Sequence, residues 1–387
     1  MSKINVEKGR IIDALSKVSD SIDTGKDAKA TKGILIESDG KSKLTFITTN
    51  IQTTSIKTIN AKGSQMKFLI PGKEFCDYIN KVSKLNFEEF EFEKKDNNIT
   101  IKCGDVCQTK MQLLKVNDFP KIKEDDSKVI DLKIKEKSLK EGIKYTTFAA
   151  SGEKEGTALL LRTVHWELIR EKKEDELYEK LIMVSTNGHR VALMELDVEK
   201  VNESLEGILK TNIPISSLNL IAKELSISSD EECKIAIGDK FVTLYKNDGS
   251  TYHMRVMEGE YINYRKIIPS QNDFKTHMQI GVNELQNAVN VCSIFNFLLK
   301  FELIDEKLKL SSKNKDKENQ TKIEVNVTQR GEHITLYFDS TYLDVIKIID
   351  TEEILMSFIE PLKPALIRPV QGLKFMYLIL PINPEKM

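Results

Sequence analysis

The chain has 387 residues, with 58 Lys and Arg, 59 Asp and Glu, and a net charge of -1. That length suits two or three domains of ~150 residues each, and a 40% hydrophobic fraction supplies their cores. The balanced charge excludes a polycation that coats nucleic acid through charge alone, so any nucleic-acid role requires charge segregated onto one face.

The longest apolar run, 375–382, contains Pro381 and is far short of the ~20 residues a membrane helix needs. Met1, Ser2, Lys3, Ile4 and Asn5 lead into charged residues with no hydrophobic signal region. A cytoplasmic protein without membrane contact is expected. Five cysteines are an odd, dispersed set in which only Cys103 and Cys107 are close. They read as reduced, mostly core thiols rather than a disulfide framework.

In chain order, Ile11, Ile12, Leu15 and Val18 have helical spacing and predict an amphipathic helix over 6–18. Alternating strands follow at 34–37 and 44–47. Phe68-Leu69-Ile70-Pro71 then runs from a strand into a helix carrying Phe75 and Ile79, with Pro71 near the helix start. A strand at 99–102 and the closing string Asp118-Phe119-Pro120-Lys121-Ile122 end this third, and a charged linker occupies 123–128. The second third repeats the plan. A helix over 137–148 carries Leu139, Ile143 and Phe148; Thr211-Asn212-Ile213-Pro214 leads into a helix with Leu218; a strand spans 242–245. Tyr261 to Tyr264 and Ile267-Ile268-Pro269 close it, followed by a polar linker at 270–275. The last third has a helix over 282–295 with Leu285, Val289, Cys292 and Phe295, a strand at 322–327, and Tyr337-Phe338-Asp339-Ser340 leading into a helix with Leu343. The stretch 311–322 is charged, lacks large apolar residues and reads as a hairpin tip.

Three strand-to-helix junctions share one pattern. An apolar strand end (Ile70, Ile213, Phe338) is followed five residues later by an apolar helix residue (Phe75, Leu218, Leu343). These repeats divide the chain at 1–127, 128–271 and 272–387, each with two helices and about eight short antiparallel strands, as two βαβββ-like halves. Either gene duplication built a symmetric object, or short strand–helix units resemble one another by chance.

The chemistry of common enzymes is missing from the sequence. There is no phosphate loop, dinucleotide glycine fingerprint, HExxH pair or Gly-x-Ser-x-Gly elbow. Cys103 and Cys107 lack a nearby His and make a poor zinc site. No catalytic residue, cofactor or metal is nominated. The most informative string is Ser185-Thr186-Asn187-Gly188-His189-Arg190-Val191-Ala192. Asn-Gly between apolar stretches favours a tight turn, so His189 and Arg190 sit beside it. Two readings stand on pattern alone: a binding or catalytic corner, or an ordinary hairpin with a solvated His–Arg pair.

That string, Glu258-Gly259-Glu260-Tyr261-Ile262-Asn263-Tyr264-Arg265-Lys266-Ile267-Ile268-Pro269, Leu362-Lys363-Pro364-Ala365-Leu366-Ile367-Arg368-Pro369 and Tyr377-Leu378-Ile379-Leu380-Pro381-Ile382 together resemble the bacterial DNA polymerase III beta subunit, the sliding clamp family. The resemblance spans essentially the whole chain in order. It implies an α+β DNA clamp fold whose three similar domains close head to tail into a homodimeric ring. Such a ring encircles duplex DNA without reading sequence, has no catalytic activity of its own and tethers the replicative polymerase. The clamp loader and repair proteins dock by linear peptides in a pocket between the second and third domains.

The positions implied for that pocket are Leu161, Thr186, Gly188, His189, Arg190, Val191, Ile262, Lys266, Ile267, Leu362, Pro364, Leu378, Leu380, Pro381 and Ile382. Ile262 replaces the family's Pro, and Lys266 stands where Arg is often seen. DNA-facing positions would be Lys26, Lys29, Lys73, Lys81, Lys137, Lys140 and Lys144, although acidic residues in the same helices balance them. At 28–31 the chain has Ala-Lys-Ala-Thr where the family carries an Arg and a Pro-Ile-Leu string. The implied dimer seam sets Met111 against Ile294 and Phe295; burial of these side chains inside their own domains is the competing account. The rival function classes are a hydrolase or transferase centred on His189 and a scaffold that never encircles DNA.

Overall fold

The computed structural model describes residues 2–25, 30–122, 130–152, 158–173, 176–200, 208–228, 230–314 and 319–386. Among them the chain passes through six units, each a strand, a helix and three further strands. The first is Ser2–Glu7, helix α1 (Lys8–Val18), Gly33–Asp39, Lys43–Thr49 and Thr53–Asn60; the second is Gln65–Pro71, α2 (Gly72–Val82), Glu89–Lys95, Asn98–Cys103 and Cys107–Gln112. The third holds Ile130–Lys135, α3 (Glu136–Thr147), Thr163–Lys173, Glu176–Thr186 and Arg190–Lys200; the fourth holds Leu209–Pro214, α4 (Ile215–Glu224), Glu232–Ile237, Phe241–Lys246 and Ser250–Arg255. The fifth holds Thr276–Gly281, α5 (Val282–Cys292), Leu298–Ile304, Lys307–Lys313 and Gln320–Asn326; the sixth holds Ile334–Asp339, a 3₁₀ helix (Ser340–Lys347), Glu353–Phe358, Ala365–Pro369 and Phe375–Ile379.

Consecutive units exchange their first strands. Ser2–Glu7 pairs with Glu89–Lys95, while Gln65–Pro71 pairs with Gly33–Asp39. The same exchange joins the third unit to the fourth and the fifth to the sixth, always antiparallel. One hydroxyl marks the repeat. Thr48 donates to the carbonyl of Val18, Ser185 to that of Thr146 and Ser312 to that of Cys292. Each satisfies a carbonyl in the last turn of the helix that precedes it, one that intrahelical bonding leaves free.

Two compact units result: Met1–Lys137 with Glu199–Glu206 and Ser216–Met257, and Ser138–Val198 with Gly207–Ile215 and Glu258–Met387. In the first, Thr53–Asn60 pairs with Ser250–Arg255. In the second, Arg190–Lys200 pairs with Phe375–Ile379. Both ladders join strands far apart in sequence, so the compact units do not follow the chain's linear thirds. The first core takes Ile11, Leu15 and Val18 from α1, Phe75, Ile79 and Val82 from α2, and Phe68, Phe90 and Phe92 from the sheets.

Several expectations need correction. Val6 belongs to a strand, and α1 begins at Lys8 with Ile12 on its exposed side. Ile4 and Val6 are buried at a spacing of two, which is strand periodicity. Helix α3 runs one residue ahead of the predicted range, and α5 ends at Cys292, leaving Phe295 beyond it. The last predicted helix is 3₁₀, with the Asp339 carboxylate accepting from the N–H and the hydroxyl of Thr341. Its β-branched Thr341, Val345 and Ile346 weaken the case for an α-helix there. The 311–322 stretch places 311–313 and 320–322 in paired strands; its tip at 315–318 lies outside the described residues.

Candidate partner-docking site

The turn at 187–189 is built by side chains that grip the backbone. Thr186 donates its hydroxyl to the Arg190 carbonyl and accepts from the N–H of Gly188. Asn187 accepts from the N–H groups of His189 and Arg190. Gly188 has φ 93°, a conformation that favours glycine. The first unit carries the same turn at Thr49-Asn50-Ile51-Gln52-Thr53. There Thr49 accepts from the Ile51 N–H and Asn50 from the Thr53 N–H. Ile51 holds φ 74° where the other turn has glycine, a strained position for a β-branched residue.

Strand Arg190–Lys200 then sets Arg190 opposite Ile379 and Val191 opposite Leu378. The chain beyond that strand stays attached: the Leu380 N–H donates to the His189 carbonyl, and the Ile382 N–H to the Tyr337 carbonyl. Pro364 immediately precedes Ala365, which faces Ile379, so Pro364 and Leu380 are neighbours across that ladder's end. His189 is exposed, yet its ring stacks on Tyr342 with centroids 5.8 Å apart. The half-buried Arg190 guanidinium lies over the rings of Phe148 and Tyr342 and donates to the Phe148 carbonyl at 2.6 Å. Its Nε is buried without a hydrogen bond among the described residues. Tyr377 donates to the Tyr342 carbonyl at 2.6 Å and so holds that wall in place. The pair is therefore not an ordinary solvated one: Arg190 lies against two aromatic rings.

The segment 259–268 supplies another wall. Tyr261, Tyr264 and Ile268 pack with Val184, Val191 and Leu378 in one cluster, while Ile262 and Ile267 remain exposed. Beneath it lies a buried polar network. Glu167 accepts from Tyr264 at 2.9 Å and from Arg265, and Lys210 stands 3.7 Å away. His165 stacks on Tyr261 at 4.8 Å; its Nδ1 lies 2.7 Å from Asn212 Oδ1 and its Nε2 3.2 Å from Glu167 Oε1. Asn212 in turn donates to the Gly259 carbonyl at 3.0 Å. Burial pushes the Glu167 carboxyl up, but hydrogen bonds from Arg265, Tyr264 and His165 outweigh it and hold it down at about 2.

Of the nominated residues, the structure brings together Thr186, Gly188, His189, Arg190, Val191, Leu378 and Leu380, with Pro364, Pro381 and Ile382 flanking them. Leu161 lies in a 3₁₀ turn, and its carbonyl accepts from the Ser151 N–H just beyond α3. Lys266 is exposed in the turn Tyr264–Lys266, and Leu362 is exposed ahead of the strand Ala365–Pro369. Lys73 and Lys81 are exposed on α2, and Lys137 and Lys144 on α3, where Lys140 is half-buried. Lys26 and Lys29 lie outside the described residues. Ile294 is 68% and Phe295 44% exposed, with Val291 and Phe297 also exposed nearby, so burial within their own domain is ruled out for them. Met111 is half-buried against the first core.

Reading the sequence missed Phe148, Tyr342 and Tyr377 around Arg190, and the His165–Glu167 network. The first three come from elements distant in sequence. His165 and Glu167 did carry a signal, because residues two apart on a strand share a face.

Models of the DNA polymerase III beta subunit match the chain in three consecutive stretches: the N-terminal domain at 2–123, the central domain at 133–263 and the C-terminal domain at 265–383. The chain belongs to the DNA polymerase III beta subunit family, the sliding clamps of DNA replication. The beta sliding clamp of Staphylococcus epidermidis is 26% identical over 370 residues, covering 92% of this chain and 90% of that protein. The Staphylococcus aureus clamp is 26% identical over 365 residues, with the same coverage. Among solved structures, the DNA polymerase III beta subunit of Thermotoga maritima shares the fold at TM-score 0.85 and 24% identity, over 99% of this chain and 100% of that one. The Bacillus subtilis sliding clamp does so at 0.86 and 20%, over 99% of each chain. The family's three-domain clamp fold accounts for the six repeated units. No helix among the described residues is long and apolar enough to cross a membrane.

Proposed function

We propose that two copies of this chain close into a ring that encircles duplex DNA and acts in the cytoplasm as a processivity factor without catalysis of its own. Domain boundaries near 127 and 271 give each protomer three domains. The ring tethers the replicative polymerase and raises its local concentration at the primer end, and it takes no base contacts because retention is topological. The lysines of α2 and α3 face the phosphates. The clamp loader, polymerase and repair proteins insert peptides beside Arg190, with the exposed Ile262, Ile267, Leu362 and Leu380 as apolar contacts and His189 and Arg190 as the polar rim.

One observation carries the ring. The last strands of the first and fourth units pair with each other, as do those of the third and sixth. The last strands of the second and fifth, Cys107–Gln112 and Gln320–Asn326, each pair on one side with the strand before them and have no strand on their outer edge among the described residues. An unpaired edge is a template for another chain, and a second copy satisfies both edges in a closed two-fold assembly. Exposed Ile294 and Phe295, which follow helix α5 where it packs against the second edge strand, give that seam an apolar component, with Met111 on the first.

Retention on DNA tests this reading. Protein loaded by its clamp loader onto a nicked circle should stay through gel filtration in high salt and be lost once the circle is cut. Equal loss from circular and linear DNA would leave a scaffold that binds from outside.

A further inference from the structure

Glu167 lies beneath the proposed docking site without touching the cleft. It is 1% exposed on strand Thr163–Lys173. Burying a carboxylate is costly unless it is paired and hydrogen-bonded, and here each hydrogen-bond partner either belongs to the segment 259–268 or is linked to it, with the Lys210 ammonium 3.7 Å away as a further cation. Tyr264 and Arg265 bond Glu167 directly. His165 bridges Glu167 to Asn212, stacks on Tyr261, and so ties in the Gly259 carbonyl that Asn212 holds. Between these anchors sits Ile262; just past them sits Ile267. Both side chains are exposed although flanking Tyr261, Tyr264 and Ile268 are packed against Val191 and Leu378. The segment has little regular structure, only the single turn Tyr264–Lys266, so ladder hydrogen bonds do not fix it.

We infer that Glu167 is a positioning residue for partner binding: through Tyr264 and Arg265 it fixes segment 259–268, so that Ile262 and Ile267 present a preformed apolar wall to the incoming peptide. This rests on the proposed peptide site and deepens it. The general reason is preorganisation, since a wall already ordered before binding is not ordered at the expense of affinity.

The test uses the intact dimer and a fluorescein-labelled C-terminal peptide of the replicative polymerase. Glu167→Gln keeps the shape and removes the charge that holds Arg265. Arg265→Ala removes the other side of the pair from a half-exposed position and tests the same link should Glu167→Gln fail to fold. Each single variant is expected to weaken peptide binding about tenfold, and the double variant no further, since both act through one contact. In each, the methyl resonances of Ile262 and Ile267 should shift in the free protein, while those of Ile11 and Ile79 in the first core stay put. Unchanged affinity and unchanged Ile262 and Ile267 signals, with only a lower melting temperature, would overturn the inference and leave a purely structural network. Arg190→Ala is the control that separates the two readings. If it abolishes binding while the Glu167 and Arg265 variants bind normally, the positioning role alone falls. If all three bind normally, the peptide docks elsewhere and both fall.

Discussion

At the scale of single residues, Arg190 shows how a surface-looking charge becomes a site. Its sequence context, beside an Asn-Gly turn, favours an ordinary solvated pair on pattern alone. Phe148 and Tyr342 remove that option, because their ring centroids lie 5.6 and 5.2 Å from the guanidinium carbon. A planar guanidinium can stack on aromatic rings while donating from its edge, as Arg190 does to the Phe148 carbonyl, and lysine does not reproduce that. Arg190→Ala combined with Leu380→Ala is therefore expected to keep the dimer and weaken a polymerase tail peptide about a hundredfold, a loss typical of two central anchors. Fluorescence anisotropy reads it, and an unchanged affinity would remove the pocket from this position. Glu167 makes a separate prediction for stability. Its carboxyl is held near 2 against an ordinary 4.5. A depressed acid stabilises the fold fully above 4.5 and loses that contribution as pH falls from about 5 toward 2. Wild-type protein should lose melting temperature over that range more steeply than Glu167→Gln. The groups that face this carboxylate are Arg265, Lys210 and the His165 ring. Glu167→Ala should cost about 3 kcal/mol at neutral pH, because it strands Arg265 and Tyr264 beside an empty buried position.

At the scale of elements, the repeat is exact enough to set a register. Thr48, Ser185 and Ser312 mark one position in three units; their cross-strand partners are Ser55, Ala192 and Thr321. Ser55 faces Tyr252 and Ala192 faces Tyr377 in the two ladders the chain forms with itself. The equivalents of those tyrosines follow from another count. Ile4, Leu132 and Met278 each stand four residues ahead of a helix, and their ladders lead through Phe92, Ile235 and Met356, then Ile101, Leu244 and Ile367, to Thr109, Tyr252 and Tyr377. Thr109 of one protomer should therefore face Thr321 of the partner subunit across the seam. Thr109→Cys with Thr321→Cys is expected to give a covalent dimer on mild oxidation, seen on a non-reducing gel, while each single variant gives none. A crosslink formed by Thr321→Cys alone, through the native Cys107, would mean a register slipped by two residues. Phe295→Asp should shift the dimer toward monomer in light scattering, since it buries a charge in an apolar seam. The sequence showed the elements well where apolar spacing was strict, as in α2 with Phe75, Ile79 and Val82. It failed at helix ends, where Val6 and Phe295 continue the apolar pattern although the backbone has already changed period.

At the scale of the whole molecule, closure of the proposed ring is a matter of which strand edges remain. Two ladders within the chain use four of the six terminal strands, and in the proposed ring the outer edges of the other two take a second copy. Diluting the protein should therefore lower retention on circular DNA in step with loss of dimer, and the Thr109–Thr321 crosslink applied after loading should abolish dissociation from a closed circle. Dissociation that continues from the crosslinked form would show that the protein leaves DNA by a route other than opening that seam.

The sequence by itself determined the repeated strand–helix units, the tight turn at 187–189, the absence of enzyme motifs and, through four strings along its length, the family. These are local properties: apolar periodicity, turn chemistry and short motifs act within a few residues. Only the tertiary structure set Arg190 against Phe148 and Tyr342, gathered Tyr264, Arg265 and His165 around Glu167, and left the outer edges of Cys107–Gln112 and Gln320–Asn326 without a strand among the described residues. Each of these depends on groups brought together from distant parts of the chain. Strand pairing and burial set those encounters, and no local pattern encodes them.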